Sequence, residues 1–370
     1  MSSKEGAVAR AAAVIAPLSA AIEEGRRLPR EAVDALVEAR VFRLAVPRAY
    51  GGDQADVATL IDAIETIARA DGSAGWCAMI GATTGLMSVF VDEKTAIEIY
   101  GPDDAITCGV TAPLGVATKT AEGFRVRGRW PFASGCEHSG WRMGTALLDG
   151  VPRCMIFRAE QTRVIDTWQT SGLRGTGSHD FEVDDVLVPE RFSFSLFDER
   201  RRFGGVCAMP FFGLLATSVA AVAVGIARGA LDAFLDVAVA KQPLGARRTI
   251  AHRELLQLDV ARAEAKVRGA HALLCDAAGE AEREADRGDA PSLRIRAVLR
   301  AAAVQATADA ASAVDLVYDA AGATSVYAKS PLQRHFRDVH VATQHVMVAP
   351  SAAVLAGRIL LGVETDATLL

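Results

Sequence analysis

A chain of 370 residues with 51% apolar and 23% charged side chains can bury a large core, which excludes a disordered polypeptide. Its net charge of −5 and pI near 5.9 create no overall basic field, so nucleic acid is not expected as a partner; Arg200 to Arg202 and the Arg247-Arg248 pair are only local clusters. Six dispersed cysteines form no C-x-x-C pair and have no histidine at metal-ligand spacing, so they read as reduced thiols and no metal site is expected.

Residues 1–25 show amphipathic spacing, with Arg10 interrupting a short apolar patch, rather than the core of a signal peptide; this predicts a cytoplasmic protein. Leu28-Pro29-Arg30 opens a helix whose apolar stripe is Val33, Leu36 and Val37. Ala55 to Ala70 supplies a second, with Leu60, Ile61, Ile64 and Ile67 at helical spacing. After the Asp71-Gly72-Ser73 break comes an apolar stretch from Trp76 to Phe90.

From about Ala105 to Phe194 the pattern changes to short runs between turns. Phe124–Trp130, Trp141–Leu148, Arg153–Phe157 and Phe181–Val188 read as strands, and Asp149-Gly150 is a hairpin signal between the second and third. Phe203 to Ala227 carries no charge and is long enough to cross a bilayer. Pro210 and the small residues Gly213, Ala216, Ala220 and Gly225 favour instead a helix buried at the centre of a bundle, with no membrane. Leu256, Val260, Ala263, Val267, Ala270 and Leu274 form the seam of a long helix. Glu280 to Asp289 is a charged break, and Pro291-Ser292 starts another helix reaching about Ala321. The expected fold is α+β and mostly α: an N-terminal helical domain (1–103), a middle antiparallel β domain (104–203) and a C-terminal domain like a four-helix bundle (204–370).

That order and four motifs resemble the acyl-CoA dehydrogenase superfamily over essentially the whole chain. The motifs are Val46-Pro-Arg-Ala-Tyr-Gly-Gly52, Cys108-Gly-Val-Thr-Ala-Pro113, the Trp168 to Ser178 segment followed by Val183 and Val188-Pro189, and Phe336-Arg-Asp338. Gly128-Arg-Trp-Pro-Phe-Ala-Ser-Gly135, Arg247-Arg248 and Ser330 to Asp338 are similar to one subgroup, the two-component flavin-dependent monooxygenases (group D). The resemblance implies reduced FMN or FAD delivered by a separate flavin reductase, dioxygen, a small-molecule substrate, and a homotetramer in which subunits share cofactor sites. It also implies a flavin hydroperoxide shielded from water, which passes one oxygen atom to the substrate.

The resemblance carries roles onto individual residues. Phe132 and Ser134 correspond to an aromatic ring and a hydroxyl beside the flavin ring system; read without it, Ser134 is a turn hydroxyl bonding backbone. Thr111 corresponds to a threonine on the pyrimidine side of the flavin, or else satisfies its own loop. Lys241-Gln-Pro-Leu-Gly245 departs from the family's R-x-F-G phosphate segment, which leaves Arg247 and Arg248 either to meet the cofactor phosphates or to form a solvated turn. Gly172-Leu-Arg-Gly-Thr-Gly177 has G-x-x-G-x-G spacing and strands after it, so it reads as a β-domain turn shaped by Arg174 and not as a nucleotide loop.

Counted from Arg337-Asp338, the dehydrogenases' glutamate base would fall at Val346, and His345 stands one residue before it. Valine cannot take a proton. An imidazole titrating near neutrality could act as base toward a phenol or amine, or donate a hydrogen bond. His340 and His335 are the other histidines in the segment, with His335 placed at the surface or an interface. Several relatives carry a second histidine on an early helix, where this chain has Thr83-Thr84. The expected function is therefore oxygenation of a small aromatic or heteroatom-bearing substrate. Two alternatives stand: an acyl-CoA dehydrogenase or oxidase with a relocated base such as Glu254 or Glu264, and a non-catalytic oligomer of the same fold.

Overall fold

The computed structural model describes residues 3–197, 202–288, 290–368 and 370. Arg200, Arg201 and Asp289, which belong to two of the charged runs noted above, lie outside the described residues. Six helices come first: α1 (Ser3–Ile15), α2 (Ser19–Gly25), α3 (Arg30–Glu38), α4 (Val57–Ala70), α5 (Gly72–Gly85) and α6 (Glu93–Tyr100). Their starts follow from local chemistry. Asp56, Asp71 and Asp92 each accept a hydrogen bond from the backbone N–H three residues on, at 2.7, 2.9 and 2.9 Å, opening α4, α5 and α6. Such a cap stabilises a helix by about 1 kcal/mol. The Asp71-Gly72-Ser73 break is thus the first turn of α5.

The middle region is one seven-stranded sheet: β1 (Thr107–Thr120), β2 (Gly123–Trp130), β3 (Trp141–Leu148), β4 (Val151–Arg158), β5 (Arg163–Ile165), β6 (Asp180–Val188) and β7 (Ser193–Phe194), in the order β5-β6-β2-β1-β3-β4-β7. All pairings are antiparallel except β1 with β3, which run parallel. Asp149 (φ 49°) and Gly150 (φ 83°) make the β3–β4 turn, as Asp-Gly predicts. Cys108–Pro113, read from sequence as a loop, belongs to β1. Its register against β3 slips between Val110 and Pro113 and again before Gly115, and the irregularity bends the strand beside the cavity described below. The fully buried Trp130 anchors the sheet. It stacks on Phe181 at 5.0 Å between ring centroids and donates its indole N–H to Thr145 O at 2.8 Å. Gly115, Gly128 and Gly144 leave room for it: a Cβ at any of them would fall 2.4 to 2.7 Å from an atom of Trp130 or, at Gly128, of Gly115.

The C-terminal part comprises α7 (Phe211–Ala240), α8 (Glu254–Ala285), α9 (Leu293–Ala321), α10 (Pro331–Ala342) and α11 (Pro350–Leu360). Pro210 caps α7, and the most apolar window of that helix is 89% buried in protein, as its small-residue pattern predicts. α8 runs through the expected break to Ala285, because Ala277, Ala278, Ala281 and Ala285 keep an apolar stripe beneath its charges. His335 is a correction: it is buried on α10 and packs so closely on α7 that a Cβ at Gly229 would fall 2.9 Å from its ring. Burial pushes its pKa down to about 3. The half-buried histidine on that helix is His340, paired with Asp315 at 2.8 Å.

The Arg-Asp motif of α10 ties three parts of the molecule together. Arg337 reaches Glu23 of α2 and the carbonyl of Ser171, while Asp338 accepts the Leu173 N–H at 2.6 Å. Gly172 must be glycine here, since a Cβ would lie 2.3 Å from Arg337 O. Arg174 shapes the same turn by donating to Thr170 O and Glu23 O. Burial pushes the Asp338 carboxyl up to about 7, helped by the neighbouring Asp71, whose own pKa burial also raises. A carboxyl raised from 3.8 to about 7 stabilises the fold fully below pH 3.8, and the gain is lost as pH rises through 7. The Asp338→Asn variant is therefore expected to gain on wild type between pH 5 and pH 8, on the order of a few kcal/mol. Thermal melts at the two pH values measure this, and an unchanged gap would refute it.

Candidate active site

Between α5, the bent end of β1, the turn after β2, the Trp168–Ser178 segment, α7 and the α10–α11 connection lies a cavity of about 500 Å³. Its walls are mostly apolar and aromatic, including Trp76, Ile80, Met143, Phe211 and Leu215. Among the described residues lining it there is no Asp, Glu, Lys or Arg, and His345 is the only ionisable side chain. Of the five residues singled out in the sequence, Thr111, Phe132, Ser134 and His345 all line this one space. Arg247 does not: it lies on the exposed turn between α7 and α8.

Phe132 is held at φ +63° directly after Pro131 and is 69% exposed, with Trp168 edge-on at 6.0 Å. An aromatic ring so uncovered at a cavity wall has an open face for a flat ligand. Trp168 is fixed by its indole N–H to Leu173 O at 2.9 Å. The Thr111 hydroxyl makes no hydrogen bond among the described residues, so it stays available to a ligand.

Ser134 is bound neither to backbone, as the turn reading expects, nor to open space. It accepts from the Trp76 indole N–H at 3.0 Å and meets Ser178 Oγ at 2.6 Å. Ser178 in turn meets Thr176 Oγ1 at 2.6 Å, and Thr176 donates to Leu173 O at 2.9 Å. A carbonyl can only accept, so Thr176 has spent its proton there. Ser178 must therefore donate to Thr176, and Ser134 must donate to Ser178. What Ser134 has left for a ligand is a lone pair. In the sequence Trp76 stands only as the start of an apolar stretch and Ser178 only as the last residue of a motif, with no role given to either; the hydroxyl run exists only because α5 and the 172–178 turn pack together.

His345 caps the short 3₁₀ turn Val346–Val348, its Nδ1 accepting the Met347 N–H at 3.3 Å, and it lies edge-on to Trp76 at 5.6 Å. Burial pushes its pKa down to about 4, with the charge of Arg300 adding to the effect. The expectation that it titrates near neutrality is therefore corrected: the ring is neutral at pH 7, and with Nδ1 accepting, the proton is on Nε2. At rest this imidazole is a donor. Val346, 65% exposed, also lines the cavity. Thr83 and Thr84 line it too, but both donate to backbone carbonyls of their own helix, Met79 O and Ile80 O, each at 2.8 Å, so neither replaces a second histidine. Glu264 lies outside the cavity, paired with Arg228 at 2.6 Å, and Glu254 is exposed at the start of α8.

The shape of the cavity suits a flavin ring system: an apolar slot with an open aromatic face, a free hydroxyl at Thr111 and an acceptor at Ser134. Without a cation in its lining, it is a place for the ring and not for phosphates.

Comparisons with known proteins bear on the same region. The family models described as acyl-CoA dehydrogenase N-terminal domain and C-terminal domain match residues 4–93 and 217–350. The chain is 32% identical to an indole-3-acetate monooxygenase of Pseudomonas putida, over 91% of this chain and 88% of that protein. It is 30% identical to the flavin-dependent monooxygenase oxygenase subunit HsaA of Rhodococcus jostii, over 90% and 91%. Among solved structures, the 3-HSA hydroxylase of Rhodococcus sp. RHA1 superposes with a TM-score of 0.92 at 27% identity, over 99% of this chain and 98% of that one. XiaF from Streptomyces sp., in complex with FADH2 and glycerol, superposes with a TM-score of 0.91 at 25% identity, over 98% and 95%.

Proposed function

The chain belongs to the acyl-CoA dehydrogenase family, among its flavin-dependent monooxygenases, and from that membership we propose that its apolar cavity oxygenates a small, uncharged aromatic or heteroatom-bearing molecule. The observation that carries this reading is the lining itself: no carboxylate faces the cavity among the described residues, and valine stands where a dehydrogenase base is expected. Reduced flavin, supplied by a reductase, is the cofactor, and bound there it activates dioxygen. The chain's own residues do the rest. The apolar walls exclude water, Phe132 offers its uncovered face to a planar ligand with Trp168 held edge-on beside it, and Nε2 of His345 offers a proton in a hydrogen bond to an oxygen atom at the cavity wall.

The experiment is to load the protein with reduced FMN or FAD and a panel of phenols and indoles, and admit isotopically labelled dioxygen. One labelled oxygen atom in the product supports the reading; reduction of bound oxidised flavin by an acyl-CoA thioester without oxygen would sink it.

The lone pair left on Ser134 favours a ligand that brings an N–H, and reduced flavin carries more ring N–H groups than oxidised flavin. Ser178→Ala frees the Ser134 proton. It is expected to lower the preference for reduced over oxidised flavin several-fold, since one hydrogen bond is worth about 1 kcal/mol. Equilibrium titration of both redox states measures this, and an unchanged ratio would show that the direction of the hydroxyl chain does not govern flavin binding.

The protein works as a homotetramer, with Arg247 and Arg248 meeting cofactor phosphates across a subunit boundary. Support comes from large apolar side chains left uncovered on the C-terminal helices, among them Leu255 and Leu273 of α8 and Val354 of α11. Light scattering on the purified protein is expected to return the mass of four chains; a monomer would rule the arrangement out.

A further inference from the structure

A second cluster of reactive groups lies outside the flavin cavity, where α4 meets α8. His271 and Cys275 are one turn apart on α8 and so share a face. Nδ1 of His271 meets the Glu65 carboxylate of α4 at 2.9 Å, and Nε2 meets Cys275 Sγ at 3.7 Å. Glu65 is mostly enclosed, with a side chain 17% exposed, whereas His271 and Cys275 are half-buried. A carboxylate on Nδ1 holds a proton on that nitrogen and fixes the ring with Nε2 toward a thiol; this is the orienting logic of a nucleophile, an imidazole and a third group.

We propose that Cys275, His271 and Glu65 form a nucleophilic thiol site on the α4–α8 flank, whose sulfur is oxidised by hydrogen peroxide. At neutral pH the His271 ring is already an imidazolium stabilised by Glu65; the thiol gives its proton to water, from which the ring is reprotonated after the step, and the thiolate is held by the Nε2–H. The thiolate sulfur then attacks one peroxide oxygen. The S–O bond forms as the O–O bond breaks, and the departing hydroxide takes the imidazolium proton to become water. Sulfur is oxidised by two electrons to the sulfenic acid, and peroxide is reduced. A flavin oxygenase that turns over without substrate supplies this oxidant, since reduced flavin and dioxygen then end as oxidised flavin and hydrogen peroxide.

Three observations set this cysteine apart. The other five, Cys77, Cys108, Cys136, Cys154 and Cys207, are all buried. The hydrogen bonds from Cys275 and then Glu65 push the His271 pKa up to about 10 against partial burial. Third, of the uncovered leucines of α8, Leu255 and Leu273 fall on one line of the helix and Leu258 about 60° from it, while Cys275 lies about 160° around from that line and about 100° from Leu258. A partner on the leucine face leaves the thiol open. The other charged groups around the pair are Asp62 and Arg69 of α4, Arg228 of α7, Arg268 of α8, and Lys4 and Glu5 of α1, all bordering a cavity of about 790 Å³.

The test treats the full-length protein with iodoacetamide across a pH series and, separately, with hydrogen peroxide plus dimedone, mapping adducts by mass spectrometry. Cys275 is expected to be the first cysteine alkylated and to carry the dimedone adduct. His271→Gln is expected to slow Cys275 alkylation at neutral pH about tenfold or more and to abolish the adduct. Glu65→Gln provides a second variant should the first not fold, and is expected to slow Cys275 alkylation as well. An unlabelled Cys275, a missing dimedone adduct in wild type, or equal rates in the folded variants would each overturn the proposal.

Discussion

Replacing His345 with alanine is expected to lower the yield of oxygenated product by two orders of magnitude or more while leaving fold and reduced-flavin binding intact, the usual scale for a positioned proton-transfer or hydrogen-bonding group. Two structural facts sharpen this. The imidazole is neutral at pH 7 because burial pushes its pKa down to about 4, and its Nδ1 accepts the Met347 N–H. Its working proton is then on Nε2, and the role is donation. Raising the pH should not rescue His345→Ala, whereas it would if the ring only removed a proton from an ionisable substrate. His345→Gln, which restores an N–H donor, should recover part of the product yield. The measurement is labelled oxygen in product per reduced flavin consumed, from pH 6 to pH 9, with peroxide counted as the uncoupled remainder. Recovery at high pH would assign His345 the role of base, and unchanged turnover would remove it from the site.

The second large effect concerns stability. Trp130→Ala is expected to destabilise the protein by about 3–5 kcal/mol through loss of buried area and the cavity left behind, with about 1 kcal/mol more from the ring stacking. Trp130 fills the space that Gly115, Gly128 and Gly144 leave open and stacks on Phe181, so no neighbour can readily collapse inward. The residues after it, Pro131, Phe132 and Ser134, line the cavity, so slackening here should also weaken flavin binding. Trp130→Phe keeps an aromatic ring for the stack, loses the N–H to Thr145 and part of the buried indole volume, and should cost less than half as much. Thermal and denaturant unfolding of the three proteins measures the order. Equal melting of wild type and Trp130→Ala would show that the sheet does not depend on this ring.

Much of the fold is legible in the chain because the signals are local. The stripe Leu60, Ile61, Ile64 and Ile67 gives α4, Asp149-Gly150 gives the β3–β4 turn, and the small residues from Gly213 to Gly225 give a helix that is buried all round. The parallel pairing of β1 with β3 is not legible, since it joins segments whose partners only tertiary packing selects. The burial of His335 is likewise invisible, because a polar residue beside Arg334 carries no sign that Gly229 will open a space for its ring.

For the site the division is similar. The sequence alone determined the chemical inventory: a histidine beside Val346, a Pro-Phe-Ala-Ser turn after a strand, and a threonine in a loop motif. Residue types and their order along the chain suffice for that. Only the tertiary structure decided what those groups can do. Packing α5 against the 172–178 turn committed the Ser134 proton and left a lone pair, the 3₁₀ turn at Val346 placed the His345 proton on Nε2, and burial set its pKa. Protonation state and hydrogen-bond direction depend on desolvation and on partners far away in sequence, and neither exists until the chain has folded.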